Sequence, residues 1–424
     1  MIFLTDLYLL FIQNPIVCTD TRTISEGCLF FALKGDSFNG NKFASEALEK
    51  GAGYAIIDDE NYFINNKTIL VKDVLKTLQE LAHYHRQKIN PIVIAITGSN
   101  GKTTTKELIY KVLSQKHETL ATAGNLNNHI GVPLTLLKLE EKHTHAIIEM
   151  GANHRHEIEL LCSIASPKYG VITNIGKAHL EGFGGEEGVA KGKTELYYYL
   201  FKNKGKAFVN LFEENTVIFS KNNTCIYYSG EGEYSVASLL HDSPDIAFEL
   251  SGLIYHSVLS GAYNFNNILT ALAVGKEFNI EDEKIGEAIA SYIPQNMRHQ
   301  WLNWNENKVL LDAYNANPGS MIAALKNFDK LESSNKIVIL GDMFELGNES
   351  RDEHQIVINY IGDYNFEEAI VCGKHFSTAT ALNAVRQFDT FEALQNYFNS
   401  QNYHNKTILI KGSRGMKMER LIGK

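Results

Sequence analysis

The sequence predicts an α/β protein of three domains, built on mostly parallel sheets flanked by helices. Three observations carry this. Short β-branched runs at residues 92–96, 146–148, 171–173 and 208–209 alternate with longer helix-compatible stretches such as 104–113. Each run is apolar at successive positions, as a strand covered on both faces requires, and does not alternate apolar with polar. The habit resumes near the C-terminus, at residues 309–311, 337–340, 369–371 and 408–410.

A chain of 424 residues has room for two or three domains of about 100–200 residues. Two soft boundaries divide it. The first is Lys88-Ile89-Asn90-Pro91, where a polar stretch gives way to an apolar run, and the second lies at Pro294-Gln295-Asn296-Met297-Arg298. Domains over residues 1–88, 89–296 and 297–424 follow. The smaller first one opens with an apolar run at residues 7–12, preceded by Asp6 and lacking a basic flank. Such a run is too short for a membrane span and wrong for a signal peptide, so it predicts the buried face of a short helix. In the third domain the apolar runs end in Asp312, Gly341-Asp342, Gly373-Lys374 and Lys411-Gly412. Open α/β sheets carry ligands at the carboxyl ends of their strands, which predicts a Rossmann-like domain with its polar edge turned towards a ligand.

Composition narrows the function classes. Hydrophobic residues make up 44% of the chain, with 32 Gly and 7 Pro, which excludes disordered and collagen-like classes. Forty Lys+Arg against 49 Asp+Glu leave a net charge of −9; a nucleic-acid binder would carry a basic footprint. The five cysteines are scattered without Cys-x-x-Cys spacing. Neither a zinc knuckle nor a disulfide framework is predicted, and a reducing cytoplasm is the natural setting.

The most informative stretch is Ile94-Ala95-Ile96-Thr97-Gly98-Ser99-Asn100-Gly101-Lys102-Thr103-Thr104. A buried strand enters a glycine-bearing turn, and Lys-Thr opens a helix. Glycines let the backbone N–H groups converge on phosphate oxygens, and the helix N-terminus adds partial positive charge. Lys102 is positioned to reach the β- and γ-phosphates of ATP, and the Thr103 hydroxyl to ligate Mg²⁺. One position departs from the general phosphate-loop pattern: Ile96 stands where it has its first glycine.

Glu149 ends a strand-like run just before Gly151, a natural place for a hard oxygen ligand to Mg²⁺. His179 taken alone is a weak metal candidate. Lys191 and Lys193 read as a solvated helix face, and residue physics promotes neither.

Taken together these segments resemble the Mur ligases, the ATP-dependent amide-forming enzymes of peptidoglycan precursor synthesis. The resemblance spans essentially the whole chain. It rests on Asp20-Thr21-Arg22 and on residues 32–35, 97–105, 124–133, 149–153, 178–183, 312–318, 341–347 and 411–414. The phosphate loop is also shared with folylpolyglutamate synthetases. The segments Asn125-Leu126-Asn127-Asn128, Tyr314-Asn315-Ala316-Asn317-Pro318 and Gly341-Asp342-Met343 point to the member that joins D-Ala-D-Ala to UDP-MurNAc-tripeptide. The Asp-Asn-Pro-Arg type motif of the diamino-acid-adding relatives is absent from the sequence.

The resemblance implies a role for each domain. The first holds the uridine diphosphate end of the substrate near Asp20, Thr21, Arg22, Lys34 and Gly35. The second binds ATP through Gly98, Ser99, Asn100, Gly101, Lys102, Thr103 and Thr104, with Asn264 and Asn267 on the adenine side. Arg298 and Asp312 approach the nucleotide from the linker and the third domain. Tyr314, Asn315, Asn317 and Arg414 lie on the acceptor side. Glu149 and His179 match the family's magnesium ligands alongside Thr103. Lys193 matches its carbamylated lysine, with Lys191 as the neighbouring alternative; the carbamate is able to ligate a second Mg²⁺. Lys102, His179 and Lys193 are thus the expected catalytic set. A cytoplasmic monomer, without nucleic-acid or membrane partners, is expected. Two places depart from the family: Gly40-Asn41-Lys42-Phe43 stands where many relatives have Gly-His-Asp-Phe, and His129 stands where an acidic residue is usual.

Overall fold

The computed structural model describes residues 2–295, 297–380, 382 and 385–424. Asn296, the last residue of the expected central domain, lies outside the described residues. Three main sheets are strung along the chain.

The first sheet is parallel, in the order Val17–Cys18, Leu29–Phe31, Tyr54–Ile57, Thr68–Leu70. The apolar run at residues 7–12 falls in the helix Leu4–Gln13, which buries Leu7 and Phe11. It packs on the helix Val74–Ile89, with Tyr8 Oη 3.2 Å from His85 Nδ1. Asp73 caps that long helix by accepting from Lys76 N, and Asn90 ends it in the left-handed conformation at φ 53°. Pro91 comes next, so the chain must leave the helix there. Arg86 crosses to the next domain and donates to the carbonyls of Ala165 (2.9 Å) and Ser166 (3.0 Å).

The second sheet has six parallel strands, in the order Thr224–Tyr228, Lys206–Asn210, Tyr169–Ile172, Ile92–Thr97, His145–Glu149, Thr119–Ala121. Every apolar run expected there is a strand. The register aligns the strand ends: Ile96 pairs with Glu149 and Thr97 with Ile172. Three strand ends therefore open side by side at one edge. A separate antiparallel sheet, Ser238–His241, Ile246–Leu250 and Leu253–Ser257, was not expected. Its first strand is exposed at every position and carries no alternation to announce it.

The third sheet runs Gln300–Trp304, Asn307–Asp312, Thr407–Lys411, Lys336–Gly341, Glu368–Cys372, Val385–Phe388. Only the first of these strands is antiparallel. It joins its neighbour through Asn305 and Glu306, both at positive φ (42° and 63°), the conformation a tight two-residue hairpin needs. Asp312 and Lys411 end adjacent strands and face each other in register.

Candidate active site

A cavity of about 720 Å³ lies where the carboxyl edge of the central sheet meets the third domain. Its floor is the turn between Thr97 and Lys102. Gly98 (φ 142°) and Gly101 (φ 81°) take backbone conformations that L side chains rarely adopt. A Cβ on Gly98 collides with Thr173 Oγ1, and one on Gly101 sits 2.5 Å from Asn267 Oδ1. The turn is also tied down from the next strand. Thr173 Oγ1 donates to Asn100 O (2.6 Å), Asn100 N donates to Asn174 Oδ1 (3.0 Å), and Ser99 Oγ donates to Gly176 O (2.8 Å). Gly98→Ala is therefore expected to destabilise the fold by about 1–3 kcal/mol and to weaken ATP binding; chemical denaturation and nucleotide titration check the two effects.

The helix Lys102–Leu113 begins at this turn. Lys102 Nζ donates to Gly98 O (2.7 Å) and Ser99 O (3.3 Å). Burial lowers its pKa to about 8, opposed by Glu149 and reinforced by Arg298. One carboxylate oxygen of Glu149 accepts from Asn127 Nδ2 (2.9 Å) and Thr103 Oγ1 (3.3 Å). The other, Oε2, is buried with no hydrogen-bond partner among the described residues. An unpartnered buried carboxylate oxygen is costly unless something fills the gap. A hard divalent cation beside the Thr103 hydroxyl fits that need.

Lys193 is fully buried on the helix Glu186–Lys202. Its Nζ donates to Ala152 O (3.2 Å) and lies 5.1 Å from the centre of the Phe183 ring. Burial, aided by repulsion from Lys102, brings its pKa down to about 7. The shift favours the uncharged amine relative to an ordinary lysine. Lys191 points to solvent and pairs with Glu187 at 2.5 Å. His179, at φ 55°, holds Nδ1 2.5 Å from Glu345 Oε2 of the third domain. Nδ1 has no hydrogen-bond partner by geometry among the described residues, yet its closeness holds the Glu345 carboxyl below the usual range.

The far wall comes from the helix Ala262–Glu277 and the third domain. Thr105 Oγ1 donates to Asn267 Oδ1 (3.0 Å), and Asn267 Nδ2 to Asn264 Oδ1 (3.1 Å). His299 sits between Ser260 Oγ (2.7 Å) and Tyr263 Oη (3.1 Å), and burial drops its pKa to about 4. The Arg298 guanidinium stacks 3.8 Å above the Tyr314 ring. Asp312 accepts from Lys411 Nζ at 2.5 Å; burial pushes its pKa up, but Lys411 and His299 together outweigh this and the net shift is down. Asn317 Nδ2 donates to Asn100 Oδ1 at 2.7 Å, joining the third domain directly to the phosphate-loop turn.

Known proteins share this architecture. Residues 15–86 match the Mur ligase family catalytic domain, residues 96–275 the Mur ligase middle domain, and residues 297–414 the Mur ligase glutamate ligase domain. The chain belongs to the Mur ligase family. The UDP-N-acetylmuramoyl-tripeptide–D-alanyl-D-alanine ligase of Haemophilus influenzae is 37% identical over 97% of this chain and 93% of its own. That of Escherichia coli is 34% identical over 96% of this chain and 92% of its own. The crystal structure of MurF from Acinetobacter baumannii superposes with a TM-score of 0.84 at 29% identity, covering 96% of this chain and 92% of that one.

In this Mur ligase the structure brings most of the sequence-derived set to one cavity. Ser99 to Thr104, Glu149, His179, Asn264, Asn267, Arg298, Asp312, Tyr314, Asn315 and Asn317 all line it. Gly98 shapes the turn from behind, and Lys193 lies beneath the wall, on the carbonyl of Ala152. Asp20, Thr21, Arg22, Lys34 and Gly35 do not line the cavity; they lie at or near the surface of the first domain. There Asp20 and Arg22 pair with each other, and Lys34 pairs with Asp58 at 2.7 Å. Arg414 also lies outside the cavity, exposed and held by Glu419 at 2.7 Å. Sequence reasoning missed His299 and the Asn100–Asn317 bridge, because both depend on contacts between residues far apart in the chain.

Proposed function

We propose that this Mur ligase is an ATP-dependent, ADP-forming ligase that adds D-Ala-D-Ala to UDP-MurNAc-tripeptide in peptidoglycan precursor synthesis. The observation that carries the reading is a single cavity holding both a tethered phosphate-loop turn and a buried carboxylate with one oxygen unpartnered among the described residues. The names of the H. influenzae and E. coli relatives supply the substrates.

The chemistry takes two steps. A carboxylate oxygen at the end of the tripeptide attacks the γ-phosphorus of ATP, the bond to the β,γ-bridging oxygen breaks, and ADP leaves. The free amine of D-Ala-D-Ala then attacks the acyl carbon, the nitrogen loses a proton, and phosphate departs from the tetrahedral intermediate. Alignment and charge neutralisation dominate such transfers. Lys102 and the N–H groups of the turn receive the triphosphate, while Asn264 and Asn267 face the nucleoside. Thr103, Glu149, His179 and a carbamylated Lys193 are the residues to hold Mg²⁺, two ions in all. When bound, Mg²⁺ lowers the repulsion between the incoming carboxylate and the triphosphate.

The other two ends of the reaction fall to the outer domains. The uridine diphosphate end occupies the first domain beside Asp20, Thr21, Arg22, Lys34 and Gly35. Tyr314, Asn315 and Asn317 receive D-Ala-D-Ala, with Arg414 left outside the cavity, and the third domain excludes water that otherwise hydrolyses the acyl phosphate. A cytoplasmic monomer suits these substrates; no helix among the described residues is long and apolar enough to cross a membrane.

Product identity tests the substrate assignment. Offering each UDP-linked precursor with D-Ala-D-Ala or with single amino acids, and weighing the products, is expected to give only the pentapeptide precursor from the tripeptide; addition of one amino acid to a shorter precursor moves the protein to another Mur step. Asn317→Ala removes the bridge to Asn100. It is expected to lower kcat about tenfold or more with ATP affinity changed far less, read from steady-state kinetics beside nucleotide titration.

A further inference from the structure

Outside the cavity lining, the small antiparallel sheet of the central domain gathers two histidines and a carboxylate. We propose that His241, Asp245 and His256 form a surface site for a divalent transition-metal ion of the zinc class. The strand geometry builds it. Ser238 pairs with Glu249 and Leu239 with Phe248, after which the register shifts so that His241, and not Leu240, faces Ala247. Such a bulge re-aims a side chain. His256 faces the same Ala247 from the opposite neighbouring strand. The two imidazoles therefore flank one small residue, with ring centres 6.0 Å apart.

Asp245 precedes Ala247 by two residues, the spacing that returns to the same face of a strand. Its carboxylate reaches both rings: Oδ1 lies 3.5 Å from His241 Nε2 and Oδ2 lies 3.1 Å from His256 Nδ1. One ligand atom from each of the three residues lies within 4.8 Å of the other two. Tetrahedral ligands around zinc sit about 3.3 Å apart. All three side chains are part-exposed, so small rotations close the difference. Asp242 is not a fourth ligand, because Lys330 Nζ holds its carboxylate at 2.7 and 3.0 Å. Water completes the shell.

The donor set determines which ion is taken. Two imidazoles with one carboxylate suit Zn²⁺, Ni²⁺ and Cu²⁺, whereas Mg²⁺ and Ca²⁺ prefer oxygen ligands throughout. The surface pairs His154–Glu157, His156–Glu159 and His404–Glu306 each offer two ligands and form the background against which the site is read.

The test is Zn²⁺ titration of the full chain in excess Mg²⁺, against a chromophoric chelator. The wild type is expected to hold one equivalent that Mg²⁺ does not displace. His241→Ala, His256→Ala and Asp245→Asn are each expected to bind that equivalent roughly tenfold or more weakly, with unchanged melting temperature and ligase activity measured without zinc. A wild type lacking a Mg²⁺-resistant equivalent overturns the proposal. So does a folded variant of any of the three residues that retains wild-type affinity.

Discussion

Lys102→Ala is expected to reduce turnover about a thousandfold or more while leaving binding of the UDP-linked precursor nearly unchanged. The ammonium lies at the mouth of the phosphate-loop turn, held by the carbonyls of Gly98 and Ser99. Those carbonyls are weak partners for a cation that burial has already pushed to a pKa of about 8. A triphosphate offers a far stronger one, so the lysine is expected to move from loop carbonyl to phosphate oxygen with a net gain. Alanine removes this charge where negative charge accumulates and leaves the first domain untouched. Stopped turnover with precursor affinity retained, by kinetics and calorimetry, is the expected pair of results; retained turnover rejects the role.

Lys193→Ala carries the second large effect, an expected loss of about a hundredfold or more in kcat. A fully buried lysine is expensive unless it is neutral or modified. Here burial and the nearby Lys102 leave a pKa of about 7, and the uncharged amine is the form that adds CO₂. In the proposed carbamylation the neutral amine nitrogen bonds to the carbon of CO₂ and releases one proton, so an uncharged amine becomes a carbamate anion. Degassing the wild type at low pH is expected to lower its activity, and bicarbonate to restore it. Short carboxylic acids are expected to rescue Lys193→Ala in part, and bicarbonate to leave it unchanged. A bicarbonate response in the alanine variant counts against Lys193 as the modified residue.

The phosphate-loop turn was legible because its chemistry is local: strand, glycines, lysine and helix start succeed one another in sequence. Glu149 was legible because it ends a run of buried strand residues. Lys193 illustrates the opposite case. Residues 191 and 193 fall on opposite sides of a helix, but the helix could be turned either way. The usable signal was the apolar stripe Val189, Leu196, Tyr197 and Leu200, whose helical spacing includes position 193 and leaves out 191. His299 and Asn317 were not legible as a pair of domain-joining contacts. One hydrogen-bonds to residues 36 and 39 positions away, the other to a residue 217 positions away, and local pattern is blind to such distances. The antiparallel sheet was hidden for a third reason, an exposed edge strand without a buried face.

Release of ADP from ATP, monitored with UDP-MurNAc-tripeptide present and D-Ala-D-Ala either supplied or withheld, tests the central claim most directly. A ligase of this kind gives sustained release only with both substrates, in step with formation of the pentapeptide precursor. Equal release without the dipeptide, or none with it, contradicts the assignment.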